Sequence, residues 1–331
     1  MNGRCSMQVR GPRAGRRFPL AARTRGQGPG AGGRSGRAAR SAGLTLVELM
    51  ISLVIGLFLT GAVVAIFLLV SRGQRETDNT ASMGENGRFA LQLLARELRH
   101  AGFFGAPPGT PVELDPDFVA TVTGACTAPA TAAVFETNEP LVIAPVASFT
   151  GCLADAVAGT TAFVVKSVRP RPLADTNGDG AIDGLPANGA FVMSTPGRSV
   201  LFSIDIGVPP GMASLAGAEA WEYQWSLYYV RNLTVPTLSR VRLNVVGATK
   251  TLVTEDLVEG VQDLHLTRNG QAAQLFLLMR SLQPDTVNPD AAAGVTRTYT
   301  LGDRTVTVSD ASDRFRRIVV QSVVALRNLR N

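Results

Sequence analysis

A single carboxylate interrupts a long apolar stretch near the N-terminus of the chain. Glu48 lies within residues 44–70, LTLVELMISLVIGLFLTGAVVAIFLLV, a run that has no other charged residue. Burying an acid at the centre of a membrane helix costs about 2.5–3.5 kcal/mol, even on the lenient scale from insertion experiments. An acid kept at that cost is a candidate functional group, and three explanations compete for it.

The three explanations place the carboxylate in different environments. Glu48 could reach the membrane interface, because it lies near the helix end, or it could be tolerated in a simple signal anchor. It could also pair with a positive charge that exists only in the working state. Cleavage of the Gly43–Leu44 bond would create an α-amino group at the depth of the carboxylate. The amine of one subunit could then neutralise the Glu48 of its neighbour and set the register between subunits.

The loop DTNGDGAID, residues 175–183, is a candidate calcium site. Oxygen-bearing side chains alternate along it, and Gly180 permits the sharp turn that calcium loops need. Position twelve, a bidentate Glu in an EF-hand, is Pro186, so the loop is not a complete EF-hand. A weak extracellular calcium site and a solvated turn both remain open. The candidate ligands are Asp175, Asn177, Asp179 and Asp183.

Cysteine and histidine usage favours structure over catalysis. Cys126 and Cys152 follow the apolar run as an even pair, and Cys5 precedes it. In an exported domain such a pair predicts a disulfide, contributing roughly 3 kcal/mol in the chain-entropy model, with two separate thiols as the alternative. His100 and His265 are accompanied by no nucleophile elbow, paired metal motif or phosphate loop. We expect both histidines to be structural and the protein not to be an enzyme.

The charge distribution sets the orientation of the apolar run. The formal charge is +6, but residues 1–43 contain ten arginines and no Asp, Glu or Lys, which leaves about −4 for the remainder. The basic character therefore belongs to the tail, and no nucleic-acid partner is expected. The run would form a helix of about 40 Å, enough to span a bilayer. The preceding arginines place the N-terminus in the cytoplasm and everything after residue 70 outside it.

Residues 71–101 predict a continuation of the helix with one apolar face. Gly73, Gly84 and Gly87 weaken its first part, where a kink or a melted turn is allowed. The apolar positions follow the helical repeat further on. They are Ala90, Leu94, Leu98 and Ala101, with Phe89 and Leu93 beside them.

Residues 102–331 predict a mostly β head. The strand-like segments are TAFVVKSV, AFVMS, VLFSID, EYQWSLYYVR, LSRVRLNVV, RTYTL, RTVTVS and RIVVQSVVAL. Stretches near residues 106–160 and 284–294 are rich in Ala, Gly and Pro and predict loops.

Two further sets of side chains in the head admit more than one role. One strand carries large side chains at every second position, which form sheet core, a seat for the amphipathic helix, or a surface for glycans or a partner subunit. They are Trp221, Tyr223, Trp225, Leu227 and Tyr229. Arginines near the C-terminus are expected to be solvated at a strand end, with contact to an acidic subunit as the alternative. They are Arg314, Arg316 and Arg317.

The stretch GLTLVELMISLVIGLFL resembles the class III signal of type IV pilins and pseudopilins. That signal joins a Gly, a hydrophobic first mature residue and a Glu at the fifth mature position. The resemblance implies that a prepilin peptidase cuts between Gly43 and Leu44, that Leu44 is N-methylated, and that Glu48 is the assembly carboxylate. Leu44 stands where Phe is more usual, and the leader of residues 1–43 is unusually long.

The resemblance also implies a pilin-like α+β fold. A long N-terminal α-helix, membrane-spanning over residues 44–70 and amphipathic over 71–101, would pack on a mainly antiparallel β head of residues 102–331. Four later blocks are similar, in order along the chain, to PilW-type minor pilins. They are LARELRHAGFFG, LYYVRN, LVEGVQDLHL and DRFRRIVVQSVVALRN. PilW-type proteins often carry Cys soon after the AGF segment, where this chain has Ala106, so the predicted disulfide has no support from the family.

The PilW-type resemblance implies a low-copy structural subunit of a type IV pilus. It would be held in the inner membrane by a single span, with its head in the periplasm, and would then enter the pilus at the cell surface. Its expected role is to prime assembly or sit at the tip, which supports twitching motility and adhesion. The implied partners are the prepilin peptidase, other minor pilins, the major pilin, a pilus-tip adhesin and inner-membrane lipid. No cofactor is required, although calcium fits the acidic loop.

Two other functions fit parts of the sequence. A type II secretion pseudopilin uses the same N-terminal logic, but the PilW-like blocks argue against it. A signal-anchored periplasmic enzyme or glycan-binding module would keep residues 1–43, whereas a pilin must lose them.

Overall fold

The computed structural model describes residues 45–176, 179, 181–212, 215–284, 296–309 and 313–329. The chain divides into two compact units, Met1–Ala62 and Val63–Asn331. The described part contains the helix α1, Leu46–His100, and two short 3-10 helices, Ala130–Ala132 and Val146–Ser148. The architecture is α+β, with one long apolar N-terminal helix and mostly antiparallel sheets, as the sequence predicts at this level.

The strands of the described part all follow the helix. They are β1 (Val112–Leu114), β2 (Leu141–Pro145), β3 (Thr161–Val168), β4 (Ala190–Ser194), β5 (Ser199–Ser203), β6 (Glu219–Arg231), β7 (Thr237–Val246), β8 (Thr249–Glu259), β9 (Val261–Asn269), β10 (Ala272–Arg280), β11 (Arg297–Leu301), β12 (Arg304–Val308) and β13 (Arg317–Ala325).

Helix α1 is delimited by a capping residue and a glycine. The hydroxyl oxygen of Thr45 accepts a hydrogen bond from the backbone N–H of Glu48 at 3.2 Å, which is the start of a capping box. Gly102 follows the helix with a φ of +79°, a left-handed conformation common just after helices. The melted turn that the glycines allowed does not occur, because α1 is helical without interruption from Leu46 to His100. An isolated glycine costs a helix only about 1 kcal/mol, which packing can offset.

The larger sheet has eight strands and is organised around β6. Its order is β1-β5-β4-β6-β3-β2, with β7 paired to β6 and β8 paired to β7. Only the β1–β5 pair is parallel among its described pairings. Strand β6 pairs with β4 along its first residues, with β3 along its middle and with β7 along its end. Its length lets one strand join three others.

Both faces of β6 are buried, in two different hydrophobic clusters. The predicted stripe from Trp221 to Tyr229 faces a cluster that contains Phe135 and Val142. Tyr228 and Val230 face the opposite side, where Leu94 and Leu98 of α1 pack. The stripe is therefore sheet core, and the seat of the helix is the other face of the same strand.

A smaller antiparallel sheet, β13-β10-β9, also packs against α1. Its inner side contributes Leu277, Met279 and Val324 to the cluster that contains the helix residues. The hairpin β11–β12 covers part of the outer side, where Leu301 packs on Phe276 and Leu278. The predicted apolar face of the helix is confirmed for Ala90, Leu94, Leu98 and Ala101, which are fully buried, but not for Phe89, which is exposed.

Helix α1 and strand β13 run side by side in the same direction. Glu76 forms an ion pair with Arg316 at 2.6 Å, before the strand begins. Gly87 lies against Val320 in its middle. The carbonyl oxygen of Arg99 accepts a hydrogen bond from the side chain of Asn328 at 3.1 Å, after the strand ends. The lengths of the two paired segments agree. The 23 helical steps from Glu76 to Arg99 rise about 35 Å, and the 12 steps from Arg316 to Asn328 cover about 40 Å.

Candidate functional site

The first half of α1 is an apolar surface. Within the described residues, α1 is long and apolar enough to cross a membrane, and none of its most apolar window is buried. Large side chains such as Leu57 at 70% and Phe58 at 75% are exposed. A surface of this size on a soluble protein marks a membrane or protein contact. Membrane lipid or the apolar helices of other subunits can cover it.

Within residues 46–70, the side chains of Ser52 and Thr60 are satisfied within the helix, and Glu48 is the third polar side chain. The hydroxyl of Ser52 donates to the carbonyl of Leu49 at 2.9 Å, and that of Thr60 donates to Gly56 at 3.0 Å. Such back-bonding lets a hydroxyl enter hydrocarbon without losing its hydrogen bond. Glu48 has no ion pair among the residues that the structure describes. If this half is covered by lipid or protein, the carboxylate of Glu48 is the group there that lacks a partner within the helix.

The position of Glu48 in the first turn gives it a second role. Its backbone N–H is bonded to Thr45, and an acid at this third helical position interacts favourably with the helix dipole. Sequence reasoning missed this local role, although the T-x-x-E spacing was visible. The dipole interaction is worth about 0.3–1 kcal/mol at an exposed site, whereas the insertion cost of about 2.5–3.5 kcal/mol applies to an acid at the centre of a membrane helix. Gly43 and Leu44 lie outside the described residues.

The calcium candidate is only partly described. Asn177 lies outside the described residues, as do its neighbours Gly178 and Gly180. The carboxylate of Asp183 accepts hydrogen bonds from the backbone N–H and the hydroxyl of Thr176, the former at 2.8 Å. That of Asp179 accepts one from the N–H of Ala181 at 2.8 Å. In the described part of the chain, no three His, Cys, Asp or Glu side chains group as a metal site. The calcium site stays a prediction.

The cysteine pair closes a loop on the far side of the larger sheet from α1. Cys126 and Cys152 form a disulfide, with their Cα atoms 4.8 Å apart. Both pack at the edge of the cluster that contains the Trp221–Tyr229 stripe. The side chains of Trp225 and Tyr223 donate hydrogen bonds to the carbonyls of Ala132 and Val134, at 3.1 and 2.5 Å. The disulfide and these bonds hold an irregular segment on the sheet.

A fully buried lysine anchors the same segment. The ammonium of Lys166 donates to the carbonyl of Thr131 at 2.5 Å and to both the carbonyl and the carboxylate of Glu136, the latter at 3.1 Å. Burial lowers the pKa of Lys166, against the raising effect of Glu136. Burial raises the pKa of Glu136, but the charge and hydrogen bond of Lys166 outweigh it and the net shift is downward. All three ammonium protons have acceptors, so the group is structural.

The aromatic stripe is not a binding surface. Trp221, the most exposed of its five members, is 8% exposed, and Trp225 is 1% exposed. Aromatic side chains that bind glycans or partners must present a face to solvent. The interpretation as a glycan or partner surface is therefore wrong for these residues.

The C-terminal arginines are not simply solvated. The side chain of Arg317 is 1% exposed and forms ion pairs with Asp313. Its Nε also donates to the side-chain oxygen of Gln262 at 2.6 Å. Arg316 reaches Glu76 of the helix. Only Arg314 is exposed as expected. The period-two pattern could not reveal Gln262 and Glu76 as partners, because they come from distant parts of the chain; Asp313 is only four residues from Arg317.

His265 is held in the head by side chains of two other parts of the chain. Its Nδ1 lies 3.1 Å from the hydroxyl of Thr161, and its Nε2 lies 2.7 Å from the carboxylate of Asp303. Next to it, Asp263 forms an ion pair with Arg304 at 2.5 Å. Burial raises the pKa of Asp263 to about 6, although Arg304 lowers it. Together these contacts fasten the turn of the β11–β12 hairpin to β9.

The structure thus does not gather the predicted site residues into one site. Glu48 lies in the exposed apolar helix, the cysteines and aromatic residues build the core, and the acidic loop is separate from both. A comparison with known proteins adds no assignment: no protein-family model, no curated protein and no solved structure matches this chain.

Proposed function

We propose that the protein is a minor pilin of the PilW type, a non-enzymatic subunit of a type IV pilus. The proposal rests mainly on one observation: an exposed apolar helix carries a single acid in its first turn, five residues after Gly43. Cleavage after Gly43 would place the α-amine of Leu44 beside that acid. No simple anchor requires this combination.

The proposed mechanism is structural. Before assembly, residues 44–70 would cross the inner membrane, with the head in the periplasm. After cleavage by the prepilin peptidase and N-methylation of Leu44, the same surface would pack against the apolar helices of other minor pilins or the major pilin. Glu48 would pair with the terminal amine of a neighbour, which removes the cost of a lone buried charge. The head would be carried to the filament surface, where a tip adhesin is a candidate partner.

The second half of α1 supports this role mechanically. It is bound to the head by the buried Ala90, Leu94 and Leu98 and by the ion pair of Glu76 with Arg316. A filament subunit must transmit load between its packed helix and its exposed domain. A helix whose C-terminal turns are buried against the head is suited to that task.

N-terminal mass spectrometry of the protein isolated from its producing cells tests the proposal. The expected N-terminus is Leu44 carrying one methyl group, and the expected location is the sheared pilus fraction. A polypeptide that keeps its arginine-rich residues 1–43 would refute the proposal and favour a signal-anchored periplasmic protein. A processed protein that purifies with a secretion apparatus and not with pili would instead identify a type II secretion pseudopilin.

A further inference from the structure

Strand β13 is an edge strand along its whole length. All nine of its residues, Arg317–Ala325, pair with β10. Within the described residues, no strand pairs with its other edge. A strand of this length presents about 30 Å of unpaired backbone. Such an edge is a template for another strand.

Hydrogen bonds at the two ends of the β10–β13 ladder show which N–H and C=O groups of β13 point towards β10 and which point away from it. The N–H of Ser281 donates to the carbonyl of Arg316 at 2.9 Å, and the N–H of Leu326 donates to the carbonyl of Gln271 at 2.7 Å. Hydrogen-bonded pairs alternate in an antiparallel ladder, so the even-numbered residues of β13 bond to β10. The odd-numbered residues turn their N–H and C=O groups outward. These are Arg317, Val319, Gln321, Val323 and Ala325.

The side chains of most of these outward residues are exposed as well. Val323 is 69% exposed and Val319 is 37% exposed. They lie on the side of the sheet away from α1, next to the area that the β11–β12 hairpin covers. The hairpin shields Phe276 and Leu278 of β10 but leaves these two valines uncovered. The open edge and the open apolar side chains coincide.

Strand β13 lacks the usual protection of an edge. It contains no Pro and no Lys, its one charged residue, Arg317, is bound to Asp313 and Gln262, and its pairing with β10 has no bulge. The edge strand β8 differs from β13. Strand β8 has a bulge in its pairing with β7, and its free side is bridged by Thr123 at Thr251. The absence of protection at β13 is a local feature of this strand.

We propose that the open edge of β13 receives an extended strand from a different exported chain. The partner segment has β-branched side chains at alternate positions, to cover Val319 and Val323. It is acidic at both ends, because exposed Arg314 and Arg327 flank β13 and have no ion pair among the described residues. That the chain is a fellow pilus subunit rests on the proposed function. Strand addition supplies affinity through backbone hydrogen bonds and specificity through alternate side chains.

A second copy of this chain is a poorer occupant, although the sequence would allow it. If the β13 strands of two copies paired in antiparallel fashion with Gln321 opposite Gln321, Val319 of each copy would lie opposite Val323 of the other. The two-fold axis of an antiparallel edge pair stands perpendicular to the sheet. Since α1 runs along β13, the two copies of residues 63–100 would then point in opposite directions. Two proteins anchored in one membrane by the residues that precede this segment cannot adopt that arrangement.

Site-specific photocrosslinking of the full-length chain in its producing cells tests the inference. A benzoylphenylalanine replaces Gln321, and the comparison position is Val246, an exposed valine of β7 at 55%. Light is expected to give one adduct with another exported chain at position 321 and not at position 246. Mass spectrometry of the crosslinked peptide is expected to identify an apolar segment with acidic ends.

Two proline variants separate edge binding from loss of fold. Val323→Pro removes an outward N–H and keeps the ladder to β10, so it should reduce the adduct by about tenfold or more while thermal unfolding of the head changes little. Val324→Pro removes an N–H that bonds to β10. It is the control that shows the effect of a disrupted fold on thermal unfolding and on the adduct. An adduct that Val323→Pro leaves intact, a crosslink within the chain, a homodimer, or no adduct overturns the inference.

The outcome also separates this inference from the proposed function. If the protein is present in pili without an adduct, the edge inference fails alone. If residues 1–43 remain attached, the proposed function fails whatever the crosslink shows.

Discussion

Gly87 and Met279 are so close that a β-carbon on the glycine would lie 3.1 Å from Cγ of the methionine. On the adjacent strand, Cγ2 of Val320 would lie 3.2 Å from the same β-carbon. The missing side chain is what lets α1 approach the β13-β10-β9 sheet at this point. Gly84, one turn earlier, has nothing within 4 Å of its β-carbon position. The two glycines thus differ in function although their sequence context is similar.

Substitution of these glycines should have opposite effects on stability. Gly84→Ala should stabilise the protein by about 0.5–1 kcal/mol, because Ala is the better helix former. Gly87→Val should destabilise it by about 1–3 kcal/mol, because the branched side chain overpacks the contact with Met279 and Val320. Thermal unfolding of the two variants beside the wild type measures the difference. Equal shifts for both substitutions would show that the contact at Gly87 is not tight.

The contrast between these glycines shows what the sequence can predict here. The periodicity of Ala90, Leu94 and Leu98 predicts the buried face of the helix, because apolar residues at helical spacing lie on one face and that face is the one buried. The same glycines also allowed a melted turn that does not occur, since Gly87 packs against Met279 of β10 and Val320 of β13, which lie about 190 and 230 positions away in the sequence. Strands β3, β4 and β11 begin and end where the predicted strand-like segments do. They are bounded by turn residues in the sequence itself.

The candidate site shows the same division between local and distant information. The apolar run and the position of Glu48 are visible in the sequence, because one stretch of chain contains both. The partners of Arg316 and Lys166 are not, because folding brings them from other elements. Strand β2 falls in a stretch that composition predicts to be a loop, and pairing with β3 overrides that composition. The open edge of β13 becomes visible only once the neighbours of each strand are known.

The head should become more stable as the pH falls from 7 towards 4, as far as Asp263 is concerned. Burial raises the pKa of this carboxyl from 3.8 to about 6 in the folded state. The group's contribution is therefore fully present below its unfolded pKa and is lost as the pH rises through 6. A difference of about two units is worth at most about 3 kcal/mol. Chemical denaturation of the head at several pH values measures this slope.

Asp263→Asn is the matched variant for that measurement. Its unfolding free energy should vary less between pH 4 and 7 than that of the wild type, because the titrating group is gone. Asp303→Asn serves as the comparison, since the Asp303 side chain is 77% exposed. Asp303 pairs with His265, which lies on the same side of β9 as Asp263. A slope that Asp263→Asn leaves unchanged would assign the pH dependence to other groups.

The two buried lysines of the head should respond differently to the same substitution. Lys166→Met removes a cation with three acceptors and leaves Glu136 without its partner, so a loss of about 3–5 kcal/mol is expected. Lys250 is 3% exposed, and its ammonium lies 4.9 Å from the ring centre of Phe118 with no hydrogen-bond partner among the described residues. Lys250→Met should therefore be neutral or stabilising. Urea denaturation of both variants decides the point, and a similar loss for each would contradict it.

Calcium binding to the acidic loop can be measured directly. Isothermal titration of the full-length protein in detergent should give heat with calcium, and Asp179→Ala should abolish it if the loop is the site. Asp115→Ala serves as a control, because Asp115 is an acid outside this loop. The absence of calcium heat in the wild type, or an unchanged heat in Asp179→Ala, would assign the loop to an ordinary turn.

Substitution of Glu48 separates its assembly charge from its capping role. Glu48→Gln keeps a residue that completes a capping box, whereas Glu48→Leu removes both the cap and the charge. Both variants should insert and be processed like the wild type, because each lowers the cost of membrane burial. Both should nevertheless reach the pilus fraction at about a tenth of the wild-type level or less, since losing a buried ion pair costs more than the 1.4 kcal/mol of a tenfold change. Thr45→Ala weakens the cap alone and should assemble almost normally. Quantitative immunoblots of membrane and sheared pilus fractions distinguish these outcomes, and normal assembly of Glu48→Gln would show that the charge is not the determinant.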